Sequence, residues 1–190
     1  MKLYYTTSQG SEQTQDKPTL SLGGYKSSSP VPNSKFGNLF GEISQMTISS
    51  YNQNSYIGLI LKNELPGAAN NVKLWFDYSA NCYSKLRVSF VQLSTDSEGQ
   101  LYMERVSDKF SKPLMIVTDF VEADGEANQV DVSSFPIGTQ IGVWVERELL
   151  MDVIRQDNSE CYELVPGYTD RYQAKDVGNQ DDIKLNLSWD

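Results

Sequence analysis

The residues of this chain with the most potential for chemistry are carboxylates gathered around Gly125. The group comprises Asp119, Glu122, Asp124, Glu126 and Asp131. Carboxylate oxygens are the ligands that Ca²⁺ prefers, but their spacing does not match the loop of an EF-hand. A solvated acidic loop between two strands is the better interpretation. The sequence therefore predicts no metal site and no cofactor.

Other catalytic arrangements lack their essential residues. The chain contains no histidine, which excludes Ser-His-Asp and Cys-His catalytic groups and histidine zinc sites. Cys82 and Cys161 match no metal-binding spacing, and two reduced thiols are favoured over the disulfide that they could form. Gly23 and Gly24 are not followed by the Lys-Ser/Thr pair of a phosphate-binding loop. These observations predict that the protein is not an enzyme.

Three tryptophans leave a carbohydrate-binding alternative open, because aromatic faces can stack on sugar rings. They are Trp75, Trp144 and Trp189. A tryptophan in a strand of a β-sandwich is more often part of the core. The core interpretation is therefore favoured.

The composition narrows the classes of partner. A net charge of −9 and a pI near 4.5 argue against sequence-independent binding to nucleic acid, which requires clustered lysines and arginines. Hydrophobic residues make up 39% of the chain, below the roughly 45–50% usual in globular proteins, so part of the chain is expected outside the core. No apolar stretch reaches the roughly 20 residues of a transmembrane helix, and no signal peptide is readable, so no membrane association is predicted.

Residues 1–41 differ from the rest of the chain in composition. They are rich in Ser, Thr, Gln, Gly and Pro, and neither a helical nor a strand period runs through them. We predict an extended assembly arm whose isolated apolar side chains fill pockets on a neighbouring subunit. The alternative, in which the segment folds back on its own domain, stays open. The predicted anchors are Leu3, Tyr4, Tyr5, Leu20, Leu22, Tyr25, Val31, Phe36, Leu39 and Phe40.

From residue 42 onward the hydrophobic pattern has a period of two, which is typical of strands with one buried face. The clearest runs are 71–79, 85–93, 140–150 and 182–189, and weaker ones are 42–50, 55–64, 100–106, 113–121 and 129–132. We therefore predict an all-β fold: an Ig-like two-sheet antiparallel β-sandwich over residues 42–190, with the extended N-terminal arm.

Turn residues separate these runs. Pro66-Gly67 followed by Asn70-Asn71 predicts a turn between two paired strands, and residues 95–99 predict a hairpin loop that ends in Gly99. One or two helical turns are predicted within residues 149–155. Residues 151–181 form a long, mostly polar insertion between two strands. Long loops of this kind often belong to interfaces, in which tyrosine is enriched. The predicted interface residues of this loop are Tyr162, Leu164, Tyr168 and Tyr172.

Several segments of the sandwich resemble Ig-like domains in virion proteins of tailed bacteriophages. They are YIGLILKN at 56–63, ANNVKLW at 69–75, FPIGTQIGVWVER at 135–147 and DIKLNL at 182–187. The N-terminal segments MKLYYT at 1–6, SLGGY at 21–25, SSPVPN at 28–33 and NLF at 38–40 resemble the start of small structural proteins of crAss-like phages. Those proteins form ring layers of the phage neck and tail. The 151–181 insertion departs from the shorter loop of that family.

The resemblance implies a structural virion protein that is assembled in the host cytoplasm. It implies a homo-oligomeric ring of about twelve copies, stacked on the portal or on other neck and tail ring proteins around the DNA channel. DNA would pass nearby without specific binding, since an acidic surface repels phosphates. Two alternatives stay open: a capsid-decorating or fibre-anchoring virion protein, and a carbohydrate-binding module.

Overall fold

The computed structural model describes residues 1–32, 39–40, 54–78, 84–116, 119–122, 130–149, 162–164, 167, 172–174 and 183–190. Apart from one 3-10 turn, Pro18–Leu20, the regular structure of these residues is entirely strand. Every pair of neighbouring strands among them is antiparallel. The predicted all-β class is confirmed.

The described residues form thirteen strands. In chain order they are β1 (Lys2–Thr7), β2 (Gly24–Pro30), β3 (Asn54–Lys62), β4 (Ala69–Tyr78), β5 (Ser84–Val91), β6 (Ser94–Thr95), β7 (Leu101–Met103), β8 (Val121–Glu122), β9 (Val130–Phe135), β10 (Gln140–Leu149), β11 (Tyr162–Leu164), β12 (Tyr172–Ala174) and β13 (Ile183–Ser188). A large sheet has the order β6-β7-β2-β1-β3-β10-β5-β8, a small sheet has the order β13-β4-β9, and β11 pairs with β12.

The two sheets share one core, so the molecule has a sandwich-like fold. Alternate residues of β3 and β10, such as Leu59 and Val143, point to the same side of the large sheet. There they join Val72, Leu74 and Phe76 of β4 in one cluster of buried side chains. Full burial of each such side chain contributes about 1.5–3 kcal/mol. The alternating pattern of β4 thus identifies the face that contacts the large sheet.

The N-terminal segment is part of this core, and the prediction of an extended arm is wrong for the described residues 1–32 and 39–40. Strand β1 lies inside the large sheet between β2 and β3, with Leu3 opposite Leu61. Leu39 and Phe40 are buried in the same cluster. The segment therefore folds back on its own domain, as the alternative interpretation held.

Composition suggested an arm because β1, β2 and the connection between them bury polar side chains, and these side chains have hydrogen-bond partners. Ser21 Oγ donates to Gly58 O at 2.6 Å and accepts from Thr6 N at 2.8 Å. Lys26 Nζ lies 2.8 Å from a carboxylate oxygen of Glu12 and 4.2 Å from the centre of the Tyr4 ring. Buried polar groups with partners cost little stability, so a polar strand can lie in the middle of a sheet.

Two of the connections that cross from one sheet to the other are joined by a single buried side chain. The β3–β4 turn at Pro66-Gly67 links strands of different sheets, so the prediction that these two strands pair is wrong. The β9–β10 turn also crosses between the sheets. Asn63 Nδ2 donates to Gly67 O at 3.0 Å and to Phe135 O at 2.8 Å, which ties the two turns together.

The four clear strand predictions are confirmed, as are the weaker ones at 55–64, 100–106 and 129–132, and one weaker prediction is changed. Strands β4, β5, β10 and β13 lie within a few residues of their predicted runs, and the hairpin of β6 and β7 contains Gly99 at a φ of 80°. Of the predicted run 113–121, only Val121 belongs to a strand among the described residues. The run predicted at 42–50 and residues 150–155 of the predicted helical turns lie outside the described residues. Leu149, the first residue of those predicted turns, is the last residue of β10.

Candidate interaction surface

Residues 104–116 and 119–120 lie between β7 and β8 on the outer face of the large sheet; we name them the crossover segment. Val106 donates its backbone N–H to Leu22 O at 3.0 Å, and Tyr56 of β3 donates to Lys109 O at 2.6 Å. A Cβ at Gly23, whose φ is 87°, would lie 1.9 Å from Glu104 O. The absence of a side chain at this position allows the segment to approach the sheet so closely.

The inward side chains of the crossover segment complete a second apolar cluster. Val106, Ile116 and Phe120 contact the face that carries Ile60 and Trp144. The ring of Phe120 lies 5.7 Å from that of Tyr56, and Trp144 is fully buried. Both faces of β10 are therefore covered, which explains why this strand has few polar residues at its centre.

Two carboxylates fix the backbone of the crossover segment. Glu104 Oε2 accepts hydrogen bonds from Leu114 N at 2.8 Å and from Met115 N at 2.6 Å. Asp108 Oδ1 accepts from Phe110 N at 2.8 Å and from Ser111 N at 3.0 Å. The bond from Phe110 N is the main cause that lowers the pKa of Asp108, which is therefore ionised at neutral pH. The segment has a defined conformation although much of it is exposed.

Three large apolar side chains of this segment point to solvent, and we name them the apolar patch. They are Phe110, Leu114 and Met115, with exposed fractions of 49%, 83% and 61%. Lys109 Nζ lies 5.0 Å from the ring centre of Phe110, so a cation borders the patch. Large exposed hydrophobic groups that are held in place commonly mark contact surfaces.

Next to the second apolar cluster, a charged row crosses four strands of the same face. Tyr56, Glu146, Arg87 and Glu122 lie in register on β3, β10, β5 and β8. The two Glu146 carboxylate oxygens accept from Tyr56 Oη at 2.9 Å and from Arg87 Nη1 at 3.0 Å. Burial, together with the bond to Glu146, raises the pKa of Tyr56 to about 12. Tyr56 is therefore a hydrogen-bond donor at neutral pH, and the row acts as a structural clamp across the sheet.

The structure buries most of the predicted arm anchors within their own chain. Leu3, Tyr4, Tyr5, Val31, Leu39 and Phe40 are buried. Leu22 contacts the second apolar cluster, and Tyr25 donates its hydroxyl to Asp96 at 2.9 Å. Of the described anchors only Leu20 is largely exposed, and Phe36 lies outside the described residues. The prediction that these side chains fill pockets on a neighbour is therefore wrong for the buried ones.

The predicted interface loop contains a short hairpin. Leu164 of β11 lies opposite Tyr172 of β12, and Tyr162 lies opposite Ala174. Tyr168 is outside the described residues. The hairpin is separate from the two larger sheets in strand pairing, and its role as an interface stays a prediction.

Sequence reasoning missed the apolar patch because it assigned residues 113–121 to a strand. The signal was present: Leu114, Met115 and Ile116 are consecutive apolar residues directly after Pro113, which does not fit a period of two. Nothing in the sequence distinguishes the carboxylates Glu104 and Asp108, which hold the segment.

Within the described residues, no group of three or more acidic or cysteine side chains has the geometry of a metal site. Asp124 and Glu126 of the acidic run around Gly125, as well as Cys82 and Cys161, lie outside those residues, so both cysteine alternatives stay open. No helix in the described part of the chain has the length and hydrophobicity needed to cross a bilayer.

Comparison with known proteins identifies no relative: no family model, no curated protein and no solved structure matches this chain.

Proposed function

We propose that this protein is a non-enzymatic structural subunit of a bacteriophage virion. It forms a homo-oligomeric ring in the neck or tail, stacked on the portal or on other ring proteins around the DNA channel. The observation that carries the proposal is the apolar patch: Leu114 and Met115 are exposed on a backbone that Glu104 holds rigidly. Apolar side chains fixed in this way are suited to contact a neighbouring subunit.

Two further observations support a place beside DNA in a virion. The net charge of −9 favours a channel lining that repels phosphates and lets DNA slide past. The segments at 56–63, 69–75 and 135–147, which resemble phage virion proteins, coincide with the central part of the sandwich in β3, β4 and β10. In this proposal the contacts between subunits are formed by the crossover segment and not by residues 1–41.

The carbohydrate-binding alternative has less support from the positions of the tryptophans. Trp144 is fully buried under the crossover segment and has no face to offer a sugar. On the small sheet, Asn186 lies opposite Trp75, and Trp189 follows β13 one residue past Ser188. Strand alternation therefore directs Trp75 and Trp189 to opposite sides of that sheet, so they do not form one stacking surface.

The test of the proposed function is the position and symmetry of the chain in an intact particle. We expect a ring of about twelve copies adjoining the portal or another neck or tail ring, and the same oligomer in native mass spectrometry of the purified chain. Copy numbers in the hundreds would indicate a capsid-decorating protein, and threes or sixes a fibre anchor; either result contradicts the ring. A chain that stays monomeric with its natural neighbours also contradicts it.

A further inference from the structure

The structure points to the surface that receives the apolar patch. We infer that the patch of one copy seats head to tail on the acidic end of the large sheet of the next copy. The acidic end consists of the β6–β7 hairpin, residues 94–103, and the adjoining loop at residues 8–13. This inference rests on the proposed ring and specifies its subunit contact.

The donor surface is positively charged in a protein that is negative overall. Between residues 104 and 116 the cations are Arg105, Lys109 and Lys112 and the anions are Glu104 and Asp108, so cations exceed anions by one. The Asp108 carboxylate is engaged by the backbone N–H groups of Phe110 and Ser111. The ammonium group of Lys109 lies against the ring of Phe110 in the patch, and that of Lys112, two residues before Leu114, lies 5.9 Å from the ring centre of Phe120.

The acceptor surface has the opposite charge around an aromatic centre. Tyr25 and Tyr102 are half-buried on β2 and β7, with ring centres 5.8 Å apart. Asp96, which accepts the Tyr25 hydroxyl, has a lowered pKa, chiefly because Gln100 N donates to it. Asp96 is therefore an anion at neutral pH, and Glu98 lies beside it on the exposed hairpin tip.

The loop that follows β1 is joined to this hairpin by hydrogen bonds. Gln100 Oε1 accepts from Ser11 N at 3.0 Å, and Gln100 Nε2 donates to Glu98 Oε2 at 3.0 Å. Glu12, next to Ser11, has a largely exposed side chain but is paired with Lys26, so the negative charge of this end rests on Asp96 and Glu98. The result is a preformed, acid-bordered aromatic surface, which complements a cation-bordered apolar patch.

The patch adjoins the hairpin in the chain fold, since Leu114 and Met115 bond to Glu104, but the two surfaces lie on opposite faces of the large sheet. Met103 belongs to the second apolar cluster under the crossover segment, whereas strand alternation turns Tyr102, and Tyr25 opposite it, to the other face. The hairpin forms one edge of the large sheet at β6, while the crossover segment leads to the opposite edge at β8. Lys109 lies beside β3, with β1 and β2 between it and the hairpin. A contact between unlike surfaces is heterologous, and it generates a closed ring when the rotation between subunits closes.

The apolar half of the contact is tested with Leu114→Ser in the full chain. Its control is Ile137→Ser, because Ile137 is also a large exposed apolar residue (60%) but lies in the β9–β10 turn. Sedimentation or native mass spectrometry should show self-association weakened about tenfold or more for Leu114→Ser and unchanged for Ile137→Ser. Equal effects of the two variants, or none, overturn the inference. Circular dichroism verifies that both variants are folded.

The charged half is tested by an exchange of charge between the two surfaces. Lys112→Glu and Glu98→Lys should each weaken self-association, because each variant presents like charges at its own contact. An equimolar mixture should assemble again, since in an alternating ring every patch meets an acceptor of opposite charge. Lys17→Glu, which changes an exposed lysine outside the patch, should assemble like the wild type. A mixture that fails to assemble, with both variants folded, overturns the proposed pairing.

These results separate the contact from the function. If particles contain a ring of this chain but Leu114→Ser still forms it, the inference is wrong while the proposed function stands. If the wild-type chain is monomeric at all concentrations, the inference is also wrong, and the symmetry of the chain in the particle alone decides the proposed function.

Discussion

Asn63 offers the sharpest test of how the two sheets are joined. The residue is almost fully buried, and its side-chain amide forms three hydrogen bonds. Nδ2 donates to Gly67 O and to Phe135 O, and Oδ1 accepts from Leu65 N at 2.9 Å. Asn63→Ala removes all three bonds but leaves the backbone pairing of Asn63 with Thr139 and Gly138 intact.

The expected loss follows from these bonds. Each contributes a net of about 0.5–1.5 kcal/mol, and a buried acceptor without its donor costs more, which applies to Phe135 O. We therefore expect Asn63→Ala to lower the free energy of unfolding by about 3 kcal/mol. The matched control is Asn70→Ala, because Asn70 is exposed and its backbone bonds to Asp190 are kept. Its effect should stay within about 0.5 kcal/mol.

Urea unfolding followed by tryptophan fluorescence measures both variants, since buried Trp144 reports on the core. A loss below about 1 kcal/mol for Asn63→Ala, or equal losses in both variants, would refute the reasoning that this amide links the two turns.

Two more predictions concern the burial of Leu3 in the N-terminal strand and the titration of buried Tyr4. Leu3→Ala should lower the free energy of unfolding by about 2–4 kcal/mol, because Leu3 is buried in the core. The control Lys2→Ala, at an exposed residue of the same strand, should lower it by less than about 1 kcal/mol in the same urea unfolding experiment. Equal small effects of the two variants would show that β1 lies outside the fold. The pKa of Tyr4 is raised to about 12 by burial and by its bond to Glu64, so stability should fall as pH rises from about 10 to 12. Tyr4→Phe should reduce this alkaline loss in thermal melts; an unchanged profile contradicts it.

The sequence alone predicted the class of the fold and its most regular strands. In β4, β5, β10 and β13, apolar and polar residues alternate, because one face of each strand contacts the core and the other does not. The hairpin of β6 and β7 was also predictable, because Gly99 supplies a positive φ that few other residues adopt. These features depend on neighbours in the sequence, so local reasoning could find them.

Only the tertiary structure decided where the N-terminal segment lies and which surface is left exposed. Strand β1 pairs with β3 across about fifty intervening residues, and Ser21 and Lys26 are buried because partners distant in sequence satisfy them. No local pattern reveals such partners, so a polar composition was interpreted as an arm. The apolar patch depends in the same way on Glu104, whose carboxylate reaches the amides of Leu114 and Met115. Contacts between residues distant in sequence decide which side chains are exposed, and the sequence alone does not show these contacts.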